Sequence, residues 1–230
     1  MEQEIQKEYK LQQSKRFLTE GSLCRQKEII MLDDPYFYRP SPKGAHEPVL
    51  TSEIKQLNHR LKSFQYVKNW NFALDIGANV GHWTRDLSKR FHKVLAIEPQ
   101  QLFVDCFKKN ILGDNVELLQ VGLSDKTEHT YMAPNKQQME YRDDSNIKCI
   151  TLDSLGIKDP IDYVKIDIDG WEYQCLVGAE QTLRKQKDIV INIEIKQKNL
   201  KDKFLKVFDL LENYGYKKVD RKAGDYQFVK

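Results

Sequence analysis

Cysteine is scarce and scattered in this 230-residue chain. Cys24, Cys106, Cys149 and Cys175 form no C-x-x-C pair, and a chain of this length needs no disulfide staples to hold a core. None has a histidine beside it to activate a thiolate, so all four read as reduced, structural cysteines. Long apolar runs are missing too. No window approaches the length that spans a bilayer, and the first 30 residues, rich in Glu, Gln and Lys, contain no apolar signal segment. A soluble, cytoplasmic protein is expected. A dominant charge is also absent: 37 Lys and Arg face 34 Asp and Glu, for a net charge of +3. This near-cancellation lacks the strongly basic footprint of a nucleic-acid binder. The lysines of "KQKNLKDKFLK" and "YKKVDRK" read as solvated faces rather than as a binding patch. There is no internal repeat and no low-complexity tract.

What is present is a chain with 40% hydrophobic residues, enough to fill the core of one ordinary domain with an appendage. Residues 1–48 form the appendage. Its first part, "MEQEIQKEYKLQQSKRFLTEG", has a helix-forming composition with a thin apolar stripe of Ile5, Tyr9, Phe17 and Leu18. Such a helix must dock on its own core or on a second subunit, which makes it a candidate contact for a homo-oligomer. Its second part, "DDPYFYRPSPKGAHEP", carries four prolines and three aromatics and reads as an ordered loop or lid without a regular element.

Residues 49–230 have a regular rhythm. A capped amphipathic helix from about Thr51, with Ile54, Leu57 and Leu61 on one face, leads to the strand "FALDIG". A helix over 82–91, the strand "KVLAIE", a helix over 100–111 and the strand "VELLQV" follow. An insert over 124–159 holds short strands at "EHTYM" and "IKCITL". The strand "DYVKIDI", a helix over 171–184, the strand "DIVINIEI" and a lysine-rich helix over 199–214 complete the alternation. Strands separated by helices imply a doubly wound α/β fold with helices on both faces of a mostly parallel sheet. The ending differs: "YKKVD" and "YQFVK" are joined only by "RKAGD", too short for a crossover helix, so the last strand runs antiparallel in a hairpin.

In such a sheet the ligand sits outside the carboxyl ends of the strands. Those ends carry Asp75 with the loop Gly77, Ala78, Asn79, Val80 and Gly81; then Glu98 with Pro99; then Gly122, Leu123, Ser124 and Asp125; then Asp167 and Asp169; then Glu194 and Lys196. A P-loop is excluded because His82 and Trp83 stand where its lysine and hydroxyl belong. The dinucleotide pattern G-x-G-x-x-G is not met either, since Gly77 is followed by "ANVG". Asp75 and Asp167 beside the loop would repel a pyrophosphate and favour a cationic ligand. S-adenosylmethionine fits: it carries an ammonium and a sulfonium and no phosphate. Glu98 lies about 20 residues beyond the glycines, the spacing at which an acid meets ribose hydroxyls. Gly77 and Gly81 would also serve a tight turn alone, Asp125 suits a turn or a cap as well as a ligand, and His82 reads as structural.

The segments "LDIGANVGHWT", "AIEPQ", "VELLQVGLSD", "TLDSL", "YVKIDIDGWEYQCLVGAEQTL" and "IVINIEIK", in this order, resemble the FkbM-type methyltransferases, which are class I S-adenosylmethionine-dependent enzymes. The resemblance covers roughly residues 71–196. It implies a seven-stranded Rossmann-like core in which Asp75, Gly77, Asn79, Gly81, Glu98 and the "GLSD" segment line the cofactor, with Glu98 on the ribose hydroxyls and Asp125 on the adenine amine. It also implies oxygen methylation, often of sugars or secondary metabolites. The family commonly has an acid, a glycine, a small residue and Glu where this chain has Asp169, Gly170, Trp171 and Glu172, so the mouth of the acceptor pocket differs.

Methyl transfer from a sulfonium needs alignment and the exclusion of water, and an unactivated hydroxyl also needs help in losing its proton. Asp167 is expected near the methionine ammonium, Asp169 or Glu172 facing a glycan or small-molecule acceptor, and Lys196 with Glu194 steering or polarising it. The same acids could hold Mg²⁺, but no dedicated ligand spacing supports a metal site. Two rivals stand beside this reading. One is an RNA 2′-O-methyltransferase, which also pairs Asp and Lys at adjacent strand ends; the other is a non-catalytic binding module of the same fold. DNA amino-methylation is disfavoured because "DIDGWE" stands where a D/N-P-P-Y/F motif belongs.

Overall fold

The computed structural model describes residues 36–39, 47–50, 60–133, 139–140, 145–222 and 224–230. The expected helix at the amino terminus, its contact with a second subunit, and Ile54 and Leu57 of the next helix lie outside them. Leu61 falls within them and packs on the core.

Thirteen strands are described. β1 (Tyr36–Arg39) and β2 (Glu47–Leu50) form an antiparallel pair. This corrects the expectation that the proline-rich segment has no regular element. The aromatic run Tyr36 to Tyr38 favours extended backbone. Pro48 sits opposite Tyr38, whose own N–H and C=O turn away to the Asn110 side chain at 2.7 and 3.0 Å. A proline is tolerated there because no ladder bond is asked of it.

Seven strands make the main sheet: β3 (Phe72–Ile76), β4 (Lys93–Ile97), β5 (Val116–Leu119), β10 (Tyr163–Ile166), β11 (Val190–Glu194), β12 (Lys217–Lys222) and β13 (Asp225–Val229). Their order is β12-β13-β11-β10-β3-β4-β5. The pairs from β11 to β5 are parallel, and β13 is antiparallel to both β11 and β12, as the short terminal connection requires. Strand order reverses between β3 and β10, which opens a crevice at their carboxyl ends.

Every residue of β3 and β10 is buried, because both faces of the sheet are covered. Leu74, Ile76, Val164 and Ile166 pack on one face with Cys175, Leu176, Val207 and Leu211 from the carboxyl-terminal half. Ala73 and Tyr163 pack on the other with Leu87 and Phe91. Asp75 and Lys165 lie two residues beyond Ala73 and Tyr163 and so share this second face.

The insert, with β6 (Gly122–Leu123) just before it, forms a second sheet with β7 (Glu128–Met132), β8 (Met139–Glu140) and β9 (Ile147–Ile150), in the order β6-β9-β7-β8. The expected helix over 171–184 is two helices, Glu172–Val177 and Glu180–Arg184. The break falls at Gly178, where a Cβ would stand 2.0 Å from the Ser124 carbonyl oxygen; the close approach of the "GLSD" segment interrupts the helix. The lysine-rich helix is likewise split, into Gln197–Leu200, a tight turn over Lys201–Lys203 and Phe204–Asn213, with Lys201 in the left-handed region at φ +52°. Among the described residues, no helix is long and apolar enough to cross a membrane.

Candidate active site

The loop after β3 is held by backbone bonds from below and to the side. The Gly77 and Ala78 amides both donate to the Ile97 carbonyl at 3.0 Å, which ties the loop to the end of β4. Gly77 has φ +80°, and a Cβ there would stand 2.0 Å from the Asp167 carbonyl oxygen. No other residue fits, because the ends of β3 and β10 meet at this point. Gly81 has φ +100° and opens the helix His82–Ser88, with the Ile111 side chain 2.8 Å from where its Cβ would be. Asn110 links this loop to the β1–β2 pair, donating to both the Val80 carbonyl (2.7 Å) and the Tyr38 carbonyl.

A cavity opens between this loop, the end of β4 and the insert. Gly77, Asn79, Glu98 and Pro99 line one side. Phe103, Val121, Leu123, Met132 and Met139 supply apolar walls. Asp167, Asp169, Glu194 and Lys196 line the far end. The cavity thus has an apolar half and an acidic half, joined at the glycine loop.

Glu98 is buried, and its two carboxylate oxygens accept the Asn79 and Gln100 amides, each at 2.9 Å. Burial pushes its carboxyl up to about 7, against the downward pull of those two amides and of Lys165. At the acidic end, carboxylate oxygens of Asp167, Asp169 and Glu194 lie within 4.8 Å of one another. Lys196 closes on Glu194 and lies 3.7 Å from Asp169, which also accepts the Asn199 amide group at 3.1 Å. Burial and then the negative charge of Asp167 push Glu194 up to about 7. Lys196 is shifted the other way from what its burial alone would give: the surrounding acids raise it.

Several expected ligands stand elsewhere. Asp75 does not reach the cavity. It is fully buried, accepts the Thr84 hydroxyl and faces the Lys165 ammonium at 3.3 Å. The cation that neutralises it removes Asp75 from the charge argument for a cationic ligand, which passes to the acids at the far end. Ala78 packs against Ala96 and Phe107, Gly81 serves the helix start, and Ser124 is buried with its hydroxyl on Glu128 at 2.6 Å. Asp125 is exposed and outside the cavity lining, next to Ser124, whose hydroxyl lies 3.1 Å from its carboxylate. Glu172 is also placed away from the cavity lining. It turns beneath the loop rather than toward an acceptor, accepting the Gly170 amide at 3.0 Å and the Ile168 amide at 3.3 Å. Burial pushes it up to about 7. Asp169 and Gly170, at φ +48° and +105°, form the left-handed turn that Glu172 holds, so Asp167 and Asp169 converge through a turn and not through strand alternation.

A sequence model of the methyltransferase FkbM domain matches residues 75–218, more than half of the chain. The chain belongs to the FkbM methyltransferase family. Within this FkbM methyltransferase the match takes in the glycine loop, Glu98, the acid cluster and the first part of β12. No curated protein is similar to it in sequence at a significant level. Among solved structures it is similar to precorrin-6y C5,15-methyltransferase from Geobacter metallireducens, at 15% identity and a TM-score of 0.49 over 84% of this chain and 95% of that one. It is also similar to an rRNA methylase from Streptococcus thermophilus, at 13% identity and a TM-score of 0.48 over 74% and 92%. A SAM-dependent methyltransferase from Aquifex aeolicus gives 20% identity and a TM-score of 0.45 over 77% and 94%.

Sequence reasoning passed over Lys165 and the two methionines of the cavity wall. Lys165 had a signal: a lysine inside the otherwise apolar "YVKI" of a central strand needs a buried partner. Met132 and Met139 had none, because their place in the wall depends on how β7 and β8 of the insert are arranged.

Proposed function

We propose that this protein transfers the methyl group of S-adenosylmethionine to a hydroxyl of a sugar or small-molecule acceptor in the cavity beyond β3, β4, β10 and β11. The single observation that carries the reading is the two-sided cavity, with Glu98 and the glycine loop at its apolar half and Asp167, Asp169, Glu194 and Lys196 at the other. The donor set suits the cofactor. Glu98 spends one lone pair of each oxygen on a backbone amide and keeps another for the paired hydroxyls of a ribose. The apolar walls suit an adenine ring, and Asp167 suits an ammonium. Lys165, the cation nearest the glycine loop, is already taken by Asp75 and the Gly77 carbonyl and offers nothing to a pyrophosphate.

Bound there, S-adenosylmethionine supplies a methyl group activated by a positive sulfur. The chain's own residues do the rest. Glu194, held near neutrality, takes the proton of the acceptor hydroxyl, since a base works best when its pKa lies near the working pH. Lys196 steadies the carboxylate before the proton arrives, and Asp169, fixed by Asn199 and the left-handed turn, orients the hydroxyl. The apolar walls and the insert exclude water.

A methyl-label transfer screen over glycans, small alcohols, peptides and RNA tests the acceptor. Label in a glycan or alcohol is expected; label in RNA, with activity falling steeply as salt rises, would transfer the protein to the nucleic-acid class. Thermal shift tests the cofactor. A ligand at a hundred times its dissociation constant adds about 2.7 kcal/mol, so no shift with S-adenosylmethionine or S-adenosylhomocysteine would leave only a binding module.

A further inference from the structure

Asp75 and Lys165 are the only charged residues of the two central strands, and they stand side by side in the β3–β10 register. Lys165 is 3% exposed. The plain role for it is counter-ion to Asp75. Yet a buried ion pair can often be replaced by apolar groups without loss of stability, so balancing Asp75 does not by itself account for an ammonium here.

The geometry shows a second task. The Lys165 ammonium is closer to the Gly77 carbonyl oxygen, at 2.6 Å, than to the Asp75 carboxylate, at 3.3 Å. The peptide between Gly77 and Ala78 is thereby held at both ends, its carbonyl by Lys165 and its N–H by the Ile97 carbonyl. Fixing that peptide fixes the turn after it, where Asn79 sits at φ +51° and donates its N–H to Glu98. Hydrogen bonds from charged donors are the stronger kind, and this one is screened from water.

We propose that Lys165 is a positioning residue for cofactor binding: its ammonium holds the Gly77 carbonyl and so presents Asn79 and Glu98 in the arrangement that receives the ligand. The inference rests on the reading that this loop binds S-adenosylmethionine. Removing Lys165 alone would strand a buried carboxylate and endanger folding. The informative variant is the neutral pair Asp75→Asn with Lys165→Met, in which the introduced amide oxygen still accepts the Thr84 hydroxyl and no charge is left unpaired.

S-adenosylhomocysteine binding is measured by titration calorimetry on the wild type and the double variant, with thermal melting of both. The double variant is expected to melt cooperatively close to the wild type and to bind about tenfold or more weakly, the effect of losing one charged hydrogen bond. Wild-type affinity in a folded double variant would show that Lys165 only balances Asp75, and would overturn the proposal while leaving the cofactor reading intact. A wild type that does not bind would overturn both. Should the double variant not fold, the side-chain nitrogen resonance of Lys165 in lysine-labelled wild type decides. It is expected to shift on saturation with S-adenosylhomocysteine, and a resonance indifferent to the ligand would refute the positioning role.

Discussion

The affinity for S-adenosylhomocysteine should fall as the solution is made acidic, and Glu98 sets by how much. Both of its oxygens face N–H donors at 2.9 Å, so a proton on either would point a donor at a donor or occupy the lone pair a ribose hydroxyl needs. The carboxyl must therefore be ionised to bind, whereas its pKa in the free protein is about 7. The ionised fraction is roughly one tenth at pH 6 and nine tenths at pH 8, so the apparent dissociation constant should be about tenfold larger at pH 6. Calorimetry at pH 6, 7 and 8 in buffers of different ionisation enthalpy measures both the change in affinity and the proton released. Glu194 titrates in the same range, and Glu98→Gln separates the two, since the slope due to Glu98 disappears in that variant. An affinity constant within twofold across this range, or an unchanged slope in Glu98→Gln, would refute the argument.

Gly77→Ala should abolish S-adenosylhomocysteine binding and cost about 2–4 kcal/mol in urea unfolding, because φ is +80° and the new Cβ would meet the Asp167 carbonyl at 2.0 Å; wild-type stability would mean that the two strand ends can part. Asp169→Ala should keep cofactor affinity within about threefold, since additivity predicts little from a residue at the far end, and should abolish methyl transfer. Normal turnover there would remove Asp169 from the acceptor site. Glu172 gives a stability signature without cofactor. Its folded pKa of about 7 stands above the ordinary 4.5, so the stability it contributes is full below about pH 4.5 and is lost as pH rises through 7. Relative to Glu172→Gln, which does not titrate, the wild type should lose up to about 3 kcal/mol between pH 4.5 and 8. A gap constant with pH in paired urea melts would contradict it.

How much of this was legible beforehand depended on how local the cause was. The strands "FALDI" and "KVLAI", the terminal hairpin and "EHTYM" follow from runs of strand-forming residues bounded by short connections. The site's address at the strand ends follows from the fold class alone. What escaped was set by partners far along the chain. Gly178 looks like any helix glycine until the Ser124 carbonyl arrives from 54 residues away. Asp75 looked like a cofactor acid because the lysine that neutralises it is on another strand, and Glu172 looked like an acceptor-facing acid because the turn it holds is formed only when Asp169 goes left-handed. The prolines around Tyr36 to Tyr38 argued against a strand; the register that places Pro48 at a position free of ladder bonds depends on Asn110.

β13 follows β12 in the chain yet lies inside it in the sheet, between β12 and β11. β12 therefore has no strand to join until residues 225–229 are in place. The flank of β11, with Ile191 and Ile193 fully buried in the finished protein, stays an open edge until residues 225–229 follow. A chain cut short before Asp225 offers that edge to chaperones and to other chains. One that keeps residues 225–229 covers it.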